Sequence, residues 1–98
     1  MKLPITFHRV ASIEFIEASA WYENKRAGLG REFISEIDRC VFLASENPCR
    51  FAFVYKDIRR LLVNRFPYGI YFRVEEERIV IMAVFHSSRN SSDWKARV

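Results

Sequence analysis

The 98-residue chain carries 16 lysines and arginines against 12 aspartates and glutamates, and half of it is hydrophobic, with only three glycines and three prolines. That composition excludes a disordered or low-complexity chain, and the length fits one domain, residues 1–98, able to bury roughly 60–70% of its unfolded surface. Its apolar runs fall short of the roughly 18 residues a membrane helix needs, and the opening MKLPITFHRV lacks the apolar core of a secretory signal, so the expected setting is the cytoplasm, away from membranes.

In chain order, residues 3–7 alternate weakly and read as a short first strand. Over residues 10–25, Ile13, Ile16, Ala20 and Trp21 recur at helical spacing, with Glu14, Glu17 and Glu23 on the expected wet side. Gly28 and Gly30 break this helix. A second one follows with Phe33, Ile34, Ile37, Val41 and Ala44 as its apolar stripe, until Asn47-Pro48 stops it because the residue before proline avoids helical angles. Residues 49–57 read as a loop.

Beyond the loop the period changes to two. Leu61 and Val63 alternate with Arg60, Leu62 and Asn64; Ile70, Phe72 and Val74 with Tyr71 and Arg73; Ile79, Ile81, Ala83 and Phe85 with Val80, Met82 and Val84. Short connections at residues 66–69 and 75–78 make these a three-stranded antiparallel meander. Residues 91–97 add a helical turn anchored by Trp94. The expected class is α+β: a short N-terminal strand, an antiparallel helical hairpin and the meander, with the helices packed on one sheet face.

Charge is segregated along the chain. Residues 10–48 hold seven acids against four bases, whereas residues 47–74 hold Arg50, Lys56, Arg59, Arg60, Arg65 and Arg73 against one acid, Asp57. The helical layer is thus expected to be acidic and the sheet basic, fit to steer toward a polyanion or an acidic segment. Cys40 and Cys49 show no CxxC or His-cluster context, so free thiols are expected, with no metal and no cofactor. The many aromatics read as packing residues, not as a base-stacking platform.

Trp21-Tyr22-Glu23, Gly28-Leu29-Gly30, Asn47-Pro48, Phe51, Val54-Tyr55, Asp57, Arg59-Arg60, Arg65-Phe66-Pro67-Tyr68, Ile70-Tyr71, Arg73-Val74, His86, Arg89 and Trp94, in this order, resemble the RelE/ParE toxin family. The resemblance implies a toxin of a bacterial type II toxin–antitoxin system, associated with plasmid stabilisation, neutralised by a cognate antitoxin in a hetero-oligomer. It also implies one of two targets. ParE-like members poison DNA gyrase by binding it; RelE-like members cut messenger RNA on the ribosome without a metal.

RNA cleavage needs a base, a phosphate clamp and an acid. His86 supplies one titrating group, and Arg65 and Arg73 could hold phosphate. The tail HSSRNSSDWKARV has no tyrosine, where the nuclease branch commonly places one, so the ParE-like branch is favoured. In that branch Arg59, Arg60, Arg65, Arg73, Arg89, Trp94 and Lys95 are the candidates for target or antitoxin binding, and His86 is a strand-end residue bonded to nearby backbone. A third reading, a non-toxic relic that binds only its antitoxin, draws on departures such as Arg9, where the family often has proline.

Overall fold

The computed structural model describes residues 2–98. Helix α1 (Arg9–Lys25) begins where the Val10 N–H donates to His8 Nδ1 at 3.2 Å, so an imidazole takes the place of the usual hydroxyl or carboxylate cap. It meets α2 (Leu29–Glu46) through a turn in which Gly28 adopts φ 90°. Glu23 reaches across this turn and accepts from the Gly28 and Gly30 N–H groups at 2.9 and 3.0 Å, satisfying donors that the start of α2 leaves open. A Cβ on Gly30 would stand 2.6 Å from the Ser19 carbonyl oxygen, so this crossing admits no larger residue without displacement.

After a 3-10 turn (Pro48–Arg50) come β2 (Phe53–Tyr55), β3 (Ile58–Leu62), β4 (Tyr68–Glu75) and β5 (Arg78–His86), then the short α3 (Ser92–Lys95). With β1 (Ile5–Phe7) they form a five-stranded sheet in the order β1-β5-β4-β3-β2. β1 lies parallel to β5, and the other pairs are antiparallel. The α+β arrangement is as expected, with one addition. The expected loop over residues 49–57 contains β2, which pairs irregularly with β3 and makes the far edge of the sheet.

Two local readings are corrected. On α1 the buried residues are Ala11, Glu14, Ala18 and Tyr22, while Ile13, Ile16 and Trp21 stand exposed. The helix carries two apolar stripes, and the one with alanines faces inward because small side chains let α1 approach β5 closely. Tyr22 then fills the remaining space against Phe33 and Phe66 at ring-centroid separations of 5.0 and 4.9 Å. On α2, Ile34 likewise stays exposed, whereas Phe33, Ile37, Cys40, Val41 and Ala44 enter the core.

The second correction is a register shift in β5. Phe72 pairs with Ile81 but Tyr71 pairs with Ala83, so Met82 is an extra residue. One inserted residue inverts every later side chain. Val84 therefore joins Ile79 and Ile81 in the core beneath the helices, while Ala83 and Phe85 join Val80 and Met82 on the opposite face. That opposite face has its own cover: Trp94 of α3, 2% exposed, stacks on Tyr71 at 4.4 Å and meets Tyr55 edge-on at 5.8 Å.

Candidate functional site

β1 ends at Phe7, paired with Ile81, so the β5 backbone beyond, which includes the bulge at Met82, has no strand neighbour on that side among the described residues. Glu14 satisfies one of the backbone groups left open there: the buried Val84 N–H donates to its Oε1 at 3.1 Å. The carboxylate is gripped in turn by Arg97, whose Nη1 and Nη2 donate to Oε1 and Oε2 at 2.9 and 2.6 Å. Arg97 Nη1 also donates to the Met82 carbonyl at 3.0 Å, and Arg89 Nη1 reaches Oε2 at 3.3 Å. A nearly buried, bidentate pair thus ties the C-terminal tail to α1 across a bulged strand. Sequence reasoning missed this group by placing Glu14 on the wet side. The signal was present in the small-residue stripe Ala11, Ala18 on which Glu14 falls.

Glu14 and Arg89 also line a cleft of about 450 Å³ with Trp21, Tyr22, Tyr68 and His86. His86 meets the Tyr68 ring edge-on at 5.2 Å. Burial pushes the Tyr68 and Tyr22 hydroxyls above the ordinary tyrosine value, so both stay protonated at neutral pH. The Ser88 N–H donates to His86 Nδ1 at 3.0 Å, so the neutral ring carries its proton on Nε2.

The other expected site residues occupy separate neighbourhoods. Arg65, in the left-handed region at φ 71°, pairs with Glu32 of α2 at 2.6 Å. Its guanidinium and then that of Arg26 hold the Glu32 carboxyl below the usual range. Next to it Glu36 pairs with Arg39 at 2.7 Å and accepts the Asn64 N–H at 3.2 Å, so its carboxyl is lowered too, chiefly by Arg39. Arg73 lies on the α3-covered side, because its strand partner Val80 does, and pairs with Asp57 at 3.4 Å. Arg65 and Arg73 are therefore not brought together with His86.

The binding candidates divide in the same way. Arg89 is committed to Glu14 and to Asp93 at 3.4 Å, and Trp94 is core. Arg59 donates to the Phe51 carbonyl at 2.7 Å and lies 3.8 Å over the Phe53 ring, fixing the strand edge. Arg60 is exposed opposite Tyr71, and Lys95 shares the Tyr55 ring with Lys56, at 5.1 and 5.2 Å. Lys56, Arg60 and Lys95 form no salt bridge among the described residues.

The sequence matches the family model described as ParE toxin of type II toxin-antitoxin system, parDE, over residues 5–91. The chain belongs to the ParE toxin family. Among solved structures, a chain of the chromosomal ParDE TA system from P. aeruginosa matches with a TM-score of 0.73 and 18% identity, over 87% of this chain and 96% of that one. At that identity the likeness shows the fold. No curated protein matches. For a ParE-family toxin the system name implies a cognate antitoxin. Among the described residues, no helix is long and apolar enough to cross a membrane.

Proposed function

We propose that this ParE-family toxin arrests growth by binding DNA gyrase, acting in the cytoplasm as a protein ligand, not as a nuclease, until its antitoxin covers it. The observation that carries this reading is the state of His86. With Nδ1 accepting the Ser88 N–H, the neutral ring presents a donor at Nε2 and is unsuited to deprotonate a 2′-hydroxyl. The phosphate clamp expected of Arg65 and Arg73 is not beside it, since both are tied to acids elsewhere in the fold, and Arg89, the arginine that shares its cleft, is engaged by Glu14 and Asp93.

The antitoxin is assigned to the α1 side. Trp21, 56% exposed, lines the Tyr68–His86 cleft, and Ile13 and Ile16 stand 40 and 68% exposed on the same helix, apolar surface fit for an amphipathic segment that folds on binding. Its apolar residues would cover this surface, giving the toxin–antitoxin hetero-oligomer.

Pulse-labelling of DNA and protein synthesis in the first minutes after inducing the chain without antitoxin tests the reading. DNA synthesis falling first supports it. Protein synthesis falling first assigns the chain to ribosome-dependent RNA cleavage, and absence of growth arrest by folded, antitoxin-free chain assigns it to a relic.

A further inference from the structure

Lys56, Arg60 and Lys95 stand at the β2–β3 end of the sheet without a carboxylate partner among the described residues. Arg50 is exposed nearby on the 3-10 turn, its guanidinium 5.5 Å from the Phe51 ring centre. The one acid in this stretch, Asp57, is engaged by Arg73. Elsewhere the arginines are mostly neutralised: Arg26 and Arg65 by Glu32, Arg39 by Glu36, Arg78 by Glu75, Arg89 and Arg97 by Glu14. Lys2, Arg9, Lys25 and Arg31 also lack an ion pair among the described residues but are spread over the N-terminal segment and the two long helices, whereas Lys56, Arg60 and Lys95 gather around Tyr55 and Tyr71.

We infer that this end, through Lys56, Arg60 and Lys95, binds the phosphate backbone of duplex DNA directly. Strand order supports an independent surface, since β2 is the edge opposite β1 and α1 packs over β5. An antitoxin on the α1 surface leaves the β2–β3 end to another partner. A polyanion is favoured because these cations form no ion pair among the described residues, the neighbouring Asp57 and Asp93 being engaged by Arg73 and Arg89, and because they sit on a rigid base. Tyr55 lies beneath both lysines and is packed against Trp94, while Arg60 projects from a paired strand. Duplex is favoured over single strands because the nearby rings are largely used: Arg59 covers one face of Phe53, and Trp94 and Tyr71 are stacked on each other. Phe53, 58% exposed, keeps one face to solvent, and a single half-covered ring is a poor platform for successive unstacked bases. The contact is to backbone and carries no sequence preference.

The inference does not require gyrase to be the target, and its test contains no gyrase. Fluorescence anisotropy of a labelled mixed-sequence duplex is followed with the purified chain as salt is raised. The wild type is expected to bind at low salt, with log K falling linearly against log salt. The triple variant Lys56→Gln, Arg60→Gln, Lys95→Gln is expected to bind at least 10-fold more weakly, its salt slope shallower by about one unit per cation removed. A control with Arg9→Gln and Arg31→Gln is expected to change affinity less than 2-fold, and circular dichroism checks that each variant is folded. Equal loss in the control overturns the assignment, as does unaltered binding by the triple variant. Tighter binding to single-stranded RNA overturns the duplex, and binding of a polyglutamate peptide without DNA binding assigns the surface to an acidic protein segment.

Discussion

Arg97 and Arg60 carry the same charge and teach opposite lessons. Arg97 is 11% exposed in its side chain, chelated by Glu14 and bonded to the Met82 carbonyl, and it holds the tail against a bulged strand. Arg60 stands on a paired strand in solvent, with no ion pair among the described residues. A cation whose partners are all inside the fold is part of the structure; one held in place without a partner is available to another molecule. The contrast extends to the two ends of the sheet, where the α1 side sets exposed apolar residues beside the buried Glu14–Arg97 pair and the β2–β3 end presents cations with no ion pair among the described residues.

The sharpest way to break the comparison is to remove Glu14. Glu14→Ala leaves Arg97 without its partner and the Val84 N–H without an acceptor, and is expected to cost about 3–5 kcal/mol in urea denaturation. The triple substitution of Lys56, Arg60 and Lys95 is expected to stay within about 0.5 kcal/mol of wild type in the same measurement. Similar losses from both would erase the distinction. The same logic complicates a charge reversal at Arg89: Arg89→Glu would place a second carboxylate beside Glu14, so lost toxicity there could report unfolding. Arg60→Glu is the cleaner probe of binding.

Paired carboxylates on α2 sharpen the comparison through pH. Glu32 and Glu36 lie below their ordinary 4.5 in the folded chain, through Arg65 and Arg39 respectively. Their stabilisation is present above the unfolded value and is lost as pH falls through the lowered folded values. Urea midpoints are expected to be flat above about pH 5 and to drop below about pH 4.5. Glu32→Gln flattens part of that drop, whereas Lys56→Gln leaves it unchanged.

The smallest effect expected is a gain. Lys56 adopts φ 51° in the β2–β3 turn, a region glycine enters at little cost. Lys56→Gly is expected to raise stability by up to about 1 kcal/mol while weakening DNA binding. Loss of stability would mean that the lysine stem supports Tyr55 more than it serves a ligand.

Much of the fold was legible because long apolar periods and Gly/Pro punctuation are local signals: both helices, their turn and the three long strands follow from them. The inward face of α1 was not, since Ile13 and Ile16 outweigh Ala11 and Ala18 on any hydrophobicity count, while close packing rewards the smaller pair. The faces beyond Met82 were misread for a related reason, because alternation counted along one strand cannot see the register of its neighbour. Of the candidate site, the basic stretch and His86 were visible as residue types. Their division into paired and unpaired cations was not, because Glu14 and Arg97 meet across 83 positions and Arg65 finds Glu32 across 33.

The most direct test of the central claim is gyrase supercoiling of relaxed plasmid with purified wild-type chain and His86→Ala side by side. Inhibition by both, within about 2-fold of each other, and relief by the cognate antitoxin are predicted. Uninhibited gyrase at excess toxin, with ribosome-dependent RNA cleavage lost on the order of 10²-fold in His86→Ala, would contradict the account.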